Sequence, residues 1–265
     1  MLRHIRNRCS VVLPVYNGGL YLDEALHSIF NQDAQDFEVI AIDDGSTDNS
    51  LSILKKWSQR GKRLEVISRE NRGISSTLNE AISMANSPWI VRMDQDDICL
   101  PNRLSLQLHH ATTLGVDVLG TWMSPMGKLF PRRIKHACTS RGIEVELLFG
   151  SPLCHPTVVM RKPVVERLLY NPQWDFAEDY DLWERAEKEG FRLANLPVAS
   201  VFYRSHNSQM SCKGSDLQRY LTLEIRKRYW RRYCAARSLA PETLADFDAI
   251  QFGKYSLIDK RRIQR

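Results

Sequence analysis

Four times within the first 110 residues the chain repeats one pattern: a short apolar run, a polar cluster, then a helical stripe. The runs are Cys9–Val15, Phe37–Ile42, Leu64–Ile67 and Trp89–Met93. Between them, apolar residues recur at helical spacing: Leu22, Ala25, Leu26, Ile29 and Phe30, then Leu51, Leu54 and Trp57, then Ile74, Leu78, Ala81, Ile82 and Ala85. Short strands alternating with helices predict an α/β fold, a parallel sheet with helices on both faces. Right-handed crossovers bring the carboxyl ends of such strands to one edge, and ligands bind there. The polar clusters fall at that edge: Tyr16-Asn17, Asp43-Asp44, Asn71-Arg72-Gly73 and Asp94 to Asp97. Locally, Pro14 is expected to end the first strand, Asp48 to cap the second helix, and Pro101 to sit in the first turn of a helix.

Further along, residues 116–120 and Thr157–Met160 read as strands and Glu178–Lys188 as a helix. Phe191–Leu196 and Ala199–Arg204 read as two more strands. Residues 125–150 read as irregular, with Arg132, Arg133 and Lys135 close together, where an acceptor lid can lie. Beyond residue 211 the pattern becomes helical, with Leu223, Ile225, Tyr229, Trp230 and Tyr233 on one side. The basic Lys227, Arg228, Arg231 and Arg232 fall mostly on the other. Charge divides at the same place: residues 1–210 carry a net −1 and residues 211–265 a net +7. The expected organisation is a catalytic domain over 1–210 and a basic helical extension over 211–265. A neutral body argues against nucleic acid as a partner. A basic tail suits an anionic membrane surface.

No stretch approaches the ~18 consecutive apolar residues of a membrane-spanning helix, and the apolar run after the basic Met1–Arg8 is short for a signal peptide. The six cysteines form no CxxC and read as free thiols. The expected location is the cytoplasm, at the inner face of the membrane where the tail engages it.

Asp94-Gln95-Asp96 carries the sharpest chemistry. Side chains alternate along an extended segment, so both carboxylates point the same way. They repel unless a cation lies between them, and hard oxygen ligands suit Mg²⁺ or Mn²⁺. Such a metal fills its remaining positions with phosphate oxygens and water, which points to a nucleoside diphosphate. Asp43 or Asp44 can accept from a base N–H or a ribose hydroxyl, and Arg72 can pair with base or phosphate. Glu178-Asp179 opens a helix, where an acid is stabilised by the dipole alone; the functional reading is a general base. His206 can complete a metal site or contact phosphate; His155 carries a weaker signal.

Taken in order, the residues resemble family 2 of the inverting glycosyltransferases, which have the GT-A fold. The matching pieces are Val12-Leu13-Pro14-Val15-Tyr16-Asn17, Asp43-Asp44-Gly45-Ser46-Thr47-Asp48, Asn71-Arg72-Gly73-Ile74, Met93-Asp94-Gln95-Asp96-Asp97, Glu178-Asp179-Tyr180-Asp181-Leu182-Trp183 and Tyr203-Arg204-Ser205-His206. They span about residues 9–210. The resemblance implies a Rossmann-like, doubly wound, mixed but mainly parallel sheet flanked by helices. It implies that Pro14, Tyr16 and Asn17, with Asp43 or Asp44 and Arg72, hold the base and ribose of a nucleotide sugar. Asp94 is the first acid of the motif, and Asp96 and Asp97 would hold ribose, metal and diphosphate. His206 matches the position that completes the metal site. Asp179 would be the catalytic base, with Glu178 its neighbour. The QxxRW motif of processive synthases is absent, which implies transfer of one or a few sugars to a glycan or lipid-linked acceptor.

Two other readings remain open on sequence. A sugar-nucleotide-forming nucleotidyltransferase also uses a doubly wound fold and carboxylate-bound metal, but Tyr16-Asn17-Gly18-Gly19 has no basic residue nearby to hold a triphosphate. A non-catalytic nucleotide-sugar-binding protein would not need every acid that the motifs require.

Overall fold

A computed structural model describes residues 9–61, 63–127, 133–206, 209, 215–239 and 243–251. Among them, eight strands form one mixed sheet in the order β3-β2-β1-β4-β7-β6-β8-β5. The strands are β1 Cys9–Val15, β2 Phe37–Asp43, β3 Leu64–Ser68, β4 Trp89–Arg92, β5 Ile98–Cys99, β6 Val118–Pro125, β7 Val159–Arg161 and β8 Leu193–Tyr203. The first four pair in parallel, as the strand–helix repeat predicts. The chain then adds β7 antiparallel to β4 and β6, with β6 parallel to β8 and β5 antiparallel to it.

Every residue of β1 is buried, because helices cover both faces of the sheet. Val11, Leu13 and Val15 face one layer, with α1 (Leu22–Phe30), α2 (Ser50–Ser58) and α4 (Arg103–Leu114). Val12 faces the other, with α3 (Ile74–Met84), α5 (Ser140–Glu146), α6 (Lys162–Leu168) and α7 (Glu178–Lys188). Burial on both faces explains why these strands read as continuous apolar runs rather than as alternation.

Several boundaries differ from the sequence reading. Pro14 lies inside β1, not at its end. Its missing N–H would face β4, and pairing with β4 has already stopped at Val12. The Asp48 carboxylate accepts from Ser50 N at 2.9 Å, but Asn49 occupies the cap position. Pro101 stands outside α4, whose cap is Asn102. The 125–150 stretch contains α5, capped by the Thr139 hydroxyl on Gly142 N at 3.2 Å; Gly142 interrupts the pattern that would have revealed it. Arg132 lies outside the described residues. The two strands expected after residue 190 are one, β8. Between the pairs Thr121↔Leu196 and Trp122↔Ala199, Pro197 and Val198 are left over as a bulge. Proline cannot donate to the ladder, which favours a bulge there.

The helices α8 (Ser215–Ala236) and α9 (Thr243–Gln251) follow. Leu221, Ile225, Tyr229 and Trp230 of α8 are buried in the same apolar cluster as Trp183 of α7. Trp230 Nε1 donates to Leu148 O at 2.7 Å, and Tyr229 Oη to Glu144 O at 2.9 Å. The expected separation of apolar and basic faces does not hold. Arg228 pairs with Asp181 at 2.8 Å and with Glu184 at 2.7 Å, and Arg232 pairs with Glu184 at 3.2 Å. The acids of α7 draw these two arginines inward.

Ile225 is fully buried between α8 and the body. Ile225→Ala is therefore expected to lower stability by about 2–5 kcal/mol, read in urea as one transition shifted to lower concentration. An unshifted main transition would mean that α8 does not share the core of the body.

Candidate active site

Side-chain bonds stitch together the loops at the carboxyl ends of β1 and β2. Asn17 is left-handed at φ 50. Its amide donates to Ser46 Oγ at 2.9 Å and its Oδ1 accepts from Thr47 N at 2.8 Å. Gly18 N donates to Ser50 Oγ and Gly19 N to Asp48 Oδ2, each at 2.9 Å. The Gln95 amide joins the ends of β1 and β4 by accepting from Tyr16 N at 2.9 Å and donating to Tyr16 O at 3.0 Å. Pro14 is buried beneath this floor, while the Tyr16 side of the loop is 49% exposed. An aromatic face is thus held open at the sheet edge, on a fixed backbone.

Asp43 and Asp44 are both buried, and both first serve the protein. Asp43 accepts from Ser68 Oγ at 2.8 Å and from Ser46 N at 3.3 Å. Asp44 accepts from Arg72 N at 2.8 Å, from Gly73 N at 3.0 Å and from Arg69 Nη1. A carboxylate has about four acceptor positions, so Asp44 shapes the loop after β3 and has little capacity left over. Arg69, not Arg72, is the cation on Asp44. The Arg72 side chain is exposed at the edge, and it is its backbone amide that bonds Asp44.

The Asp94–Asp97 segment forms the densest charge. Asp94, Asp96 and Asp97 each offer an oxygen within 4.8 Å of the others. Asp94 is paired with the buried Arg92. Asp96 Oδ2 lies 2.8 Å from His206 Nε2, and the His206 ring lies 4.8 Å from that of Tyr21. Asp97 Oδ1 accepts from Arg204 N at 2.9 Å, whereas its buried Oδ2 has no partner among the described residues. Burial, then repulsion from Asp94, pushes the Asp97 carboxyl up to about 8. An orphaned buried carboxylate oxygen beside two further carboxylates and an imidazole is a donor set that fits a hard divalent cation.

Glu178 and Asp179 lie at the start of α7, on the other side of Arg92. Glu178 is buried, with Oε1 3.6 Å from His155 Nδ1. Asp179 is partly exposed, and its Oδ2 accepts from Ser151 Oγ at 2.9 Å. Burial raises both carboxyls above the ordinary range. Arg92 counters this at Glu178; the hydrogen bonds from Ser151 and the Tyr180 amide counter it at Asp179. His155 donates to or accepts from Tyr170 Oη at 2.9 Å, and burial holds its pKa down at about 3. It is therefore neutral.

The structure thus gathers Asp94, Asp96, Asp97 and His206 into one cluster, and Glu178 and Asp179 into a neighbouring pair. Pro14, Tyr16 and Asn17 form the floor, Asp43 and Asp44 point into the scaffold, and Arg72 stands at the rim. Sequence reasoning missed Arg69, Arg92, Ser151 and Arg204. Arg92 had a readable signal, being a cation inside the apolar run Trp89–Met93.

The acids line the carboxyl ends of the parallel strands, where open α/β sheets bind their ligands. Residues 10–169 match the family described as Glycosyl transferase family 2. The chain belongs to that family: it is a glycosyltransferase with the GT-A fold. It is 32% identical over 221 residues to an uncharacterised glycosyltransferase of Haemophilus influenzae, covering 76% of this chain and 67% of that one. It is 30% identical over 212 residues to the O-antigen biosynthesis glycosyltransferase WbnJ of Escherichia coli, covering 78% and 83%. Among solved structures, S. aureus TarS 1-349 with UDP-GlcNAc aligns with a TM-score of 0.63 at 25% identity, over 76% of this chain and 60% of that one. The mannosyltransferase PcManGT of Pyrobaculum calidifontis, with GDP-Man and Mn²⁺, aligns with a TM-score of 0.64 at 20% identity, over 86% and 65%. The chain spans less than two thirds of either solved chain.

The buried His155 has a consequence for acid stability. Its folded pKa of about 3 lies below the ordinary 6.5. Between those values the unfolded chain binds a proton that the folded chain does not. The stability is complete above the unfolded value and is lost as pH falls. The raised carboxyls of Glu178 and Asp179 act in the opposite direction, so the comparison with His155→Asn isolates the imidazole. From pH 6.5 down to about pH 5, the native chain is expected to lose about 2 kcal/mol more than this variant. Urea titration at each pH measures the difference, and equal slopes would refute it.

Proposed function

We propose that the protein is a metal-dependent, inverting glycosyltransferase that moves one sugar from a nucleoside diphosphate sugar to a hydroxyl of a glycan or lipid-linked acceptor. The observation that carries this reading is the buried Arg92, which pairs with Asp94 and also acts on Glu178, so that the Glu178-Asp179 pair lies beside the cluster of Asp94, Asp96 and Asp97. Base and ribose would lie on the floor of Pro14, Tyr16 and Asn17, bounded by Asp43, Asp44 and Asp94, with Arg72 reaching from the rim. Asp96, Asp97 and His206 would hold Mn²⁺ or Mg²⁺. When bound, such a cation supplies positive charge that neutralises the diphosphate.

The remaining chemistry belongs to the chain's own residues. The acceptor hydroxyl attacks the anomeric carbon from the face opposite the nucleotide. Asp179 takes the hydroxyl proton, since its raised basicity and partial exposure suit a general base. The bond to the diphosphate breaks with its electron pair, and the configuration inverts in one displacement. Glu178 is turned inward to His155 and acts as the neighbour that keeps Asp179 basic. Holding donor and acceptor in line supplies much of the rate.

A role in surface polysaccharide or lipopolysaccharide assembly is supported by the likeness to WbnJ. That role fits the cytoplasmic face of a membrane. No helix among the described residues is long and apolar enough to cross one. A peripheral contact would rest on the groove of about 380 Å³ bordered by Arg185, Lys188 and Arg231, and on the basic sequence beyond residue 251.

The test is thermal shift against a panel of nucleotides and nucleotide sugars, UDP-GlcNAc and GDP-mannose included, with and without Mn²⁺. A ligand of the folded state raises Tm by mass action. One nucleotide class is expected to shift Tm in a metal-dependent way. Asp96→Ala is expected to remove the metal-dependent part. Asp179→Asn is expected to keep the shift and lose turnover by at least about 100-fold. Near-normal turnover of Asp179→Asn would remove it from the base role.

A further inference from the structure

Glu178 and Asp179 are consecutive, yet they meet different partners because one segment sorts them. Residues 151–157 present His155 to Glu178 at 3.6 Å and Ser151 to Asp179 at 2.9 Å. That segment is fixed from several sides. Asn195 Nδ2 donates to Pro152 O at 3.0 Å, Gln107 Nε2 to Thr157 O at 2.7 Å, and Thr157 Oγ1 to Thr121 O at 3.1 Å. The Ser151 hydroxyl also lies 3.1 Å from Leu153 O. It has one proton to give, and the charged acceptor makes the stronger bond.

We propose that Ser151 is a positioning residue for Asp179: its hydroxyl donates to Oδ2 and so leaves Oδ1 as the oxygen that receives the acceptor's proton. This rests on the reading of Asp179 as the base. With one oxygen tied to a fixed segment, the carboxylate cannot turn, and the free oxygen keeps one direction. The hydrogen bond also favours the charged form. Burial and the Glu178 carboxylate oppose it, while the backbone amide of Tyr180 supports it from the same helix. Cys154 and Tyr170 face the group as neutral, buried acids whose pKa values burial raises. Arg92 acts on the neighbouring Glu178.

The experiment titrates the full chain by NMR with ¹³C at aspartate carboxyls, without nucleotide or metal. The Asp179 signal is the one missing in Asp179→Asn. Ser151→Ala is expected to raise its midpoint by about one pH unit, the size of one hydrogen bond to a charged group. Ser151→Thr, which keeps the hydroxyl, is expected to restore it. Turnover is followed with whichever of UDP-GlcNAc or GDP-mannose raises Tm. In Ser151→Ala, kcat is expected to fall by roughly tenfold, the equivalent of that unit, with its acid limb moved upward and the donor KM unchanged. An unmoved midpoint overturns the Ser151 contact alone. A moved midpoint with kcat and acid limb unchanged overturns its positioning role. Near-normal turnover of Asp179→Asn overturns the base reading, and with it the proton's destination, while the titration still decides the contact.

Discussion

Crowding negative charge at one edge of a sheet is the constraint around which this structure is organised. Two carboxylates 5 Å apart repel by about 3 kcal/mol at an effective dielectric of about 20, and here Asp94, Asp96 and Asp97 offer oxygens within 4.8 Å of one another. The fold answers with arginines set behind the acids. Arg92 stands under Asp94 and acts on Glu178, Arg69 pairs with Asp44 and Glu80, and the Arg204 guanidinium bonds the carbonyl of Asp96 while its backbone amide bonds the carboxylate of Asp97. Behind them Arg103, fully buried, donates to Arg92 O at 2.7 Å. The repulsion left uncompensated shows at Asp97, whose carboxyl is pushed up to about 8 and whose Oδ2 has no partner among the described residues.

The acids themselves were legible in the sequence because each follows an apolar run or opens a helical stripe. Position along the chain was enough to bring Asp94, Asp96, Asp97, Glu178 and Asp179 to one edge. Apart from Arg92, set inside an apolar run, the arginines were not legible, because a cation in a loop reads as a solvated side chain until its partner is known. Arg72 drew notice from its place beside Gly73, whereas Arg69 holds the carboxylate. Ser151 and Asp179 are 28 residues apart, and no local pattern links a serine after a loop to an acid at a helix start. The bulge in β8 was read as a break between two strands because Pro197 looks like a terminator. The tail misled for a related reason: its helix was correctly placed, but Arg228 and Arg232 were assigned to solvent without knowledge of the acids on α7.

That last pairing changes what the carboxyl-terminal helix does. Its apolar face enters the core beside Trp183, and its arginines lie on the helix whose first residues are Glu178 and Asp179. The orientation of α7 is therefore set at both ends. Asp181, Glu184 and Glu187 hold it to α8, and the segment 151–157 holds its opening residues. A helix fixed in this way holds its two opening carboxylates against His155 and Ser151.

Gln95, the middle residue of the acidic motif, has an evolutionary consequence. Its amide behaves as a peptide group borrowed from a side chain, matching both the donor and the acceptor of Tyr16. Glutamate has no N–H to offer the carbonyl, and a shorter amide falls short of it. The same side chain occupies the space where a Cβ on Gly18 would come within 2.2 Å of Oε1. Positions 18 and 95 are thus bound into one unit of inheritance. In descendants of this chain either one drifting alone meets a steric or hydrogen-bonding barrier set by the protein itself rather than by its ligand.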